Sequence, residues 1–289
     1  MEAQLTNVPA SHRSGQRVKV ITPPSLSAGS LVAGLRGLRD YWDLLLTLSI
    51  HRIKVRYKQS ALGLAWALIQ PLALMLIYTL VFSIFARVKT PGVPYPIFAY
   101  AALLPWTFFS TGLTSATNGL VSNTQLVTKV YFPREILPLS YIIAALVDLA
   151  VASVVMVGMM AYYHVALTGA VVWVLPVTLI LTMLLTSASL VLSGLQVKFR
   201  DIGMAMPLVL QLWMFASPVV YPLEQVPARF RDLYMLNPMV GVIQNFRAAL
   251  LGQALDTRSL LISVIVALVL LPASYVYFKH VEATVADVI

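Results

Sequence analysis

Residues 64–85 read LAWALIQPLALMLIYTLVFSIF, twenty-two positions without one charged side chain. A helix needs about 20 such residues to cross about 30 Å of hydrocarbon. Five more runs of this kind follow: Tyr95–Thr117, Leu137–Tyr163, Val171–Gly194, Gly203–Tyr221 and Ser259–Phe278. Together the six contain a single charged residue, Asp148. The pattern predicts an all-α membrane protein with six transmembrane helices between residues 64 and 280. It also bears on mechanism. Ion-coupled carriers usually bury several acids or histidines as relays, so one aspartate points to an energy source outside this chain.

Composition leads to the same class. Hydrophobic residues make up 59% of the chain and charged ones 11%, against about a quarter charged in a soluble domain. Six spans in 289 residues leave no room for a second soluble domain. Cysteine is absent, which excludes disulfides and thiolate-bound metals. His12, His51, His164 and His280 are scattered without ligand spacing, so no metal is expected. The net charge of +9 is read as a membrane-side asymmetry that meets anionic lipid, not as a nucleic-acid footprint. Residues 1–63 carry nine Lys and Arg. Lys129, Arg134, Lys198, Arg200 and Lys279 join them on the same side of an even number of spans. Arg87, Lys89, Arg229, Arg231, Arg247 and Arg258 fall on the other. Fourteen against six places both termini in the cytoplasm. No signal peptide is visible; residues 1–29 read as a disordered cytoplasmic tail and 281–289 as a short one.

Outside the spans, three segments carry a pattern. Within residues 30–63, Leu31, Leu35, Leu38, Trp42, Leu45 and Leu46 recur at helical spacing. The i,i+4 pairs Arg36–Asp40 and Arg39–Asp43 lie opposite. This predicts an amphipathic helix over 30–49, lying on the cytoplasmic surface or packed on another protein. His51–Lys58 then forms a basic stop at the headgroups. Residues 118–136 mix amides and hydroxyls with KVYFPRE, too long for a turn. They fit docking to another protein or an interfacial helix on lipid. Residues 222–258 carry Pro222, Pro227 and Pro238; Asn237-Pro238 opens a helix that Gly252 ends after Leu251. Helices that short suit a re-entrant hairpin at the outer surface. Arg229, Arg231 and Arg247 would stand at that exit, as substrate contacts or headgroup anchors.

Two spans have a polar or aromatic face. At 100° per residue Gln70, Tyr78, Phe82 and Phe85 share one arc of the first, where Pro71 predicts a kink. Tyr100, Thr107, Thr111, Thr114 and Asn118 line the second, beside Gly112 and Ala116, which permit close helix approach. Such faces either bond to neighbouring helices or line a polar path. Asp148 is either an acid held by a neighbour's polar groups or a functional charge.

No phosphate loop, dinucleotide fingerprint, zincin or serine-hydrolase motif occurs, so neither catalysis nor ATP hydrolysis is expected here. No 3+3 inverted repeat is apparent.

Four stretches taken together resemble a known family. They are KVRYKQSALG (54–63) with Trp66 and Gln70-Pro71, KVYFPREILP (129–138), KFRDI (198–202), and SPVVYPLEQVP with LNPMVGVIQNFRAALLG within 217–252. In this order they resemble the type-2 ABC exporter permeases that move polysaccharides or polyol phosphates, such as O-antigen, capsule, teichoic acid and galactan. The likeness spans roughly residues 36–280. One departure is Arg52, where the family often has an acid. The resemblance implies a homodimer with two copies of a separate nucleotide-binding ATPase subunit that binds ATP and Mg. It implies a lipid-linked glycan as cargo, surrounded by membrane lipids, with no cofactor in this chain.

It further implies that Asn118, Asn123, Gln125, Lys129, Tyr131, Phe132, Arg134 and Glu135 couple the chain to the ATPase, with Arg52, Lys54, Arg56 and Lys58. Gln70, Tyr78, Phe82, Phe85, Tyr100, Thr107, Thr111 and Asp148 would border the path. Pro222, Arg229, Arg231, Asn237, Pro238 and Arg247 would form an external gate. A permease for a small lipid or drug is the alternative; a membrane-embedded transferase or ion-coupled flippase fits less well.

Overall fold

A computed structural model describes residues 39–58, 63 and 65–288. The tail 1–29, the start of the amphipathic segment and Arg36 lie outside the described residues. Among those described, every regular element is helical. In chain order they are α1 (Trp42–Lys58), α2 (Ala65–Tyr78), α3 (Tyr95–Thr117), α4 (Thr124–Lys129), α5 (Ile136–Tyr162), α6 (Val174–Lys198), α7 (Asp201–Phe215), α8 (Ala228–Met235), α9 (Pro238–Leu251) and α10 (Thr257–Val288). A π-helical stretch, Thr79–Phe85, prolongs α2.

Five of these stretches are long and apolar enough to span a bilayer, as expected of a multi-pass membrane protein: Ala65–Phe85, Tyr95–Thr117, Ile136–Tyr162, Gly169–Lys198 and Thr257–Glu282. The fifth run of the sequence differs. Its helix, α7, has 15 residues, about 22 Å at 1.5 Å per residue. Beyond Phe215 the chain turns through Ser217-Pro218 instead of continuing to Tyr221. The last helix, in contrast, runs on to Val288, past the boundary expected at 280.

In lipid, burying leucine gains little over leaving it exposed, so close packing through small residues decides which helices touch. The centre is α3, which packs against α2, α5, α6, α7 and α9. A Cβ on its Gly112 would come within 2.8 Å of Leu185 on α6. At α9, a Cβ on Gly241 would lie 2.1 Å from the Ser259 carbonyl at the start of α10. The side chain of Asn245 ties the same two elements, donating to the carbonyls of Gly241 (2.7 Å) and Asp256 (3.1 Å).

One expectation for the helices changes, and one departure is new. The helix expected over 30–49 continues through the basic stretch to Lys58. It runs beside α5: Leu45 joins Ile136 and Leu137 in one cluster, Arg52 sits over Tyr141, and Arg56 reaches Asp148. In the first span the helix passes Pro71 unbroken, and the departure from α geometry comes at Thr79. The helix around Asn237-Pro238 forms as read: Pro238–Leu251, with the Asn237 side chain accepting from Met239 N (3.1 Å) and Gly252 closing it at φ +68°.

Candidate functional site

The C-terminal end of α1 and helices α2, α3 and α5 enclose a groove of about 480 Å³. Four of the eight expected path residues meet there: Gln70, Thr107, Thr111 and Asp148, joined by Thr114. The row on α3 spends its donors on its own backbone. Thr111 donates to the Thr107 carbonyl (2.7 Å), Thr114 to Ser110 (2.8 Å), and the Asn118 amide to Thr114 (3.0 Å). The Thr107 hydroxyl is buried without a partner.

Asp148 is met by two side chains of α1. Arg56 donates to one carboxylate oxygen and the Tyr57 hydroxyl to the other. Burial, then the bond to Asp148, push the Tyr57 hydroxyl up to about 12, so it stays a donor at neutral pH. Arg56 was expected on a docking surface; here it belongs to the groove. Tyr57 was not singled out at all. The hint was the rule that an acid at span depth needs a partner, which says nothing of where in the chain that partner lies.

The other four path residues are elsewhere. Tyr100 is buried and donates to the Ala152 carbonyl (2.9 Å). Tyr78 meets the Met214 sulfur (3.5 Å) and the edge of Phe82. Phe85 is 72% exposed. The shared arc assumed α-helical phase; i→i+5 bonding over Thr79–Phe85 turns fewer degrees per residue and rotates Phe85 out of line.

At the end of the bundle that carries α4, Arg52 donates to the Asn123 side chain (2.7 Å) and lies 4.4 Å over the Tyr141 ring. That contact needs no acid at this position. Asn118 accepts from Gln196 (3.3 Å) on α6. Lys54, Lys58, Gln125, Lys129 and Tyr131 are exposed, and Gln125 and Lys129 line a hollow of about 670 Å³ between Val121 and Val130. Phe132 is not a docking residue. It is buried with Leu45, Leu120, Val127 and Phe278.

Arg134 and Glu135 face the last helix. The backbone N–H of Arg134 donates to the Glu282 carboxylate and its guanidinium to the Glu282 carbonyl, both at 2.9 Å. Lys279 bridges Glu135 (2.6 Å) and Glu282 (2.8 Å) and lies 5.6 Å from the Tyr275 ring centroid. Burial raises the Glu135 carboxyl above its ordinary range and Glu282 adds to this, with Lys279 opposing.

At the opposite end, Arg247 departs furthest from expectation. It is 2% exposed, lies 3.6 Å over the Phe98 ring, and donates to the carbonyls of Pro218 (2.7 Å) and Val219 (3.0 Å). It therefore pins the turn after α7 and does not stand at a mouth. Burial pulls its guanidinium down to about 9, still charged at neutral pH. Asn237 works on the same turn, accepting from Trp213 (3.1 Å) and donating to Ala216 (3.0 Å) and Ser217 (2.9 Å). Pro222 is buried; Pro238 opens α9. Arg231 folds back on the Val226 carbonyl (3.3 Å). Arg229 is exposed, over Phe230.

The chain is similar to known proteins over most of this region. The chain is 33% identical to the O-antigen export system permease protein RfbA of Myxococcus xanthus over 186 residues, 62% of this chain and 68% of that protein. It is 31% and 29% identical to two proteins of the same name from Klebsiella pneumoniae over 162 residues, 56% of this chain and 62% of each. Residues 43–251 match the ABC-2 type transporter family, from the first turn of α1 to the last residue of α9. The matched range takes in the groove, the α4 segment and the Arg247 turn, and by it the chain belongs to the ABC-2 type transporters.

Proposed function

We propose that this chain is the permease of an ATP-driven exporter that moves a lipid-linked polysaccharide from the cytoplasm to the periplasm or outer face. The observation that carries this is the groove. It sets amide, hydroxyl and charged groups between helices that are otherwise apolar, and one of its walls, α2, is left largely uncovered. Only 11% of that span is buried, against 78% of α3. Half a path with an open wall is what a second copy of the chain would close. The names of the relatives supply the cargo class. A row of hydroxyls beside the exposed Trp66 offers a sugar chain many weak contacts, since sugar C–H faces stack on aromatic rings, and no single tight one that would arrest it.

Energy then comes from two copies of a nucleotide-binding subunit, which hold ATP and Mg. The exposed Lys129 and Tyr131 and the hollow at Val121–Val130 give that subunit a seat. The excess of basic residues at this end supports its facing the cytoplasm of the inner membrane. The chain itself catalyses no reaction.

Three measurements test the reading. An ATPase should co-purify with the chain, while the chain alone hydrolyses no ATP; turnover by the isolated chain overturns the proposal. Deleting the chain should trap glycan on its carrier lipid inside the cell. A maleimide that cannot cross membranes should label Gln225→Cys from outside and Asn123→Cys only after lysis; the reverse pattern inverts the direction of transport.

A further inference from the structure

We propose that Arg56 receives the anionic headgroup of the cargo lipid, a phosphate or diphosphate ester, and that Asp148 is its displaceable stand-in. The inference rests on the export reading and names the part of the cargo that this groove recognises.

Position is the first support. Asp148 lies twelve residues into α5, about 18 Å along its axis. A charge at that depth is costly unless it is paired or faces a wet cavity. Asp148 and Arg56 satisfy both conditions: they bond to each other, and both line the groove.

Incomplete engagement is the second. A guanidinium has five N–H donors in a planar fork suited to bidentate binding of phosphate. Arg56 bonds to Asp148 through one nitrogen only. Its side chain is 33% exposed and that of Asp148 19%, so the pair is not sealed. Arg247 shows the contrast in exposure: it also bonds through one nitrogen, but it is 2% exposed and closed off by two carbonyls and the Phe98 ring. Arg56 makes no other hydrogen bond among the described residues and lines the groove, so donors remain for a second anion.

Field and retention are the third. Lys54 and Lys58 are exposed on the same stretch of α1, which raises the local concentration of anions. Asp148 keeps the Tyr57 hydroxyl when Arg56 leaves, so exchanging the carboxylate for a phosphate does not strand a bare charge. Exchange therefore frees Arg56 from α5 at the moment the headgroup arrives.

The test uses the full chain with its co-purified ATPase in phosphatidylcholine nanodiscs. The probes are farnesyl diphosphate, farnesol and inorganic diphosphate. Arg56→Gln should weaken farnesyl diphosphate binding about tenfold or more. Asp148→Asn should strengthen it several-fold, because the competing carboxylate is gone; a merely structural pair would give a loss. Arg56→Lys should fall between wild type and Arg56→Gln, keeping the charge without the fork. Farnesol should be indifferent to all three. Inorganic diphosphate should follow the same directions at lower affinity.

The proposal is overturned by an unchanged affinity in Arg56→Gln, or by a weakened one in Asp148→Asn. Inorganic diphosphate binding as tightly as the farnesyl ester would make this a free-anion site and also overturn it. Should Arg56→Gln fail to assemble, the sign of the Asp148→Asn change decides. Loss of the ATPase or of glycan trapping counts against the export reading; normal export with affinity indifferent to Arg56 counts against this inference alone.

Discussion

Two cations, Arg247 buried and Lys279 largely so, sit at opposite ends of this molecule and are held in opposite ways. Lys279 sits between the carboxylates of Glu135 and Glu282. Arg247 has no carboxylate in contact; it has two backbone carbonyls and the face of Phe98. The difference follows from the cations. An ammonium is compact and strongly hydrated, so burial demands countercharge. A guanidinium is planar and weakly hydrated, and accepts neutral acceptors and a ring. The arginine end is a fixed turn set by geometry. The lysine end is a balance of charge between the α4–α5 junction and the last helix, and protonation can alter it.

The largest effect should come from Arg247. Arg247→Gln leaves buried carbonyls unpaired and a void over Phe98, and should cost about 3–5 kcal/mol. Thermal unfolding followed by size exclusion in detergent reads this, and Arg247→Lys should recover only part. Equal stability for the lysine variant would erase the distinction between the two ends.

Lys279→Met should cost about 2–3 kcal/mol near pH 8, and the loss should depend on pH. The Glu135 carboxyl is already raised in the folded chain, so its contribution is fullest at low pH and is lost as pH climbs through the raised pKa. Removing Lys279 takes away the opposing influence and raises it further. The penalty should therefore shrink toward about pH 5, and adding Glu282→Gln should relieve part of it. Arg247→Gln should show no such recovery between about pH 5 and pH 8.

Asn237→Ala should cost about 1–2 kcal/mol, through the helix cap and the bond to Trp213. Smallest in stability is Tyr131→Ala, within about 0.5 kcal/mol for an exposed side chain. Its readout is ATPase co-purification, which should fall while unfolding is unchanged. Unimpaired binding would move the seat toward Lys54 and Lys58.

What the sequence made legible was local. The limits of α3 follow from an apolar run that begins after Pro94 and ends before Asn118, and the limits of α9 from Asn237-Pro238 and Gly252. What stayed hidden depends on partners far away in the chain. Arg56 and Asp148 are 92 positions apart, Arg134 and Glu282 148. The burial of Arg247 could not be read because arginine is mostly a surface residue. Its stretch, NFRAALLG, looks like any short amphipathic helix. Phe132 misled for a related reason. An aromatic between charges reads as a docking residue until its packing against Leu45 and Phe278 is seen. The first span misleads through its backbone: a shared face at 100° per residue requires an α-helix, and the last seven residues are not one.

The contact between Arg134 and Glu282 also sets a clock. The 148-position separation takes about 7–30 s to synthesise at 5–20 residues per second. Until residue 282 has left the ribosome, the α4–α5 junction lacks its last support, however early the first three spans have inserted. Chains stalled before residue 279 should accordingly recruit no ATPase, as a pull-down from translating ribosomes would show. On the proposed reading, the seat for the ATPase is among the last surfaces of the chain to be completed.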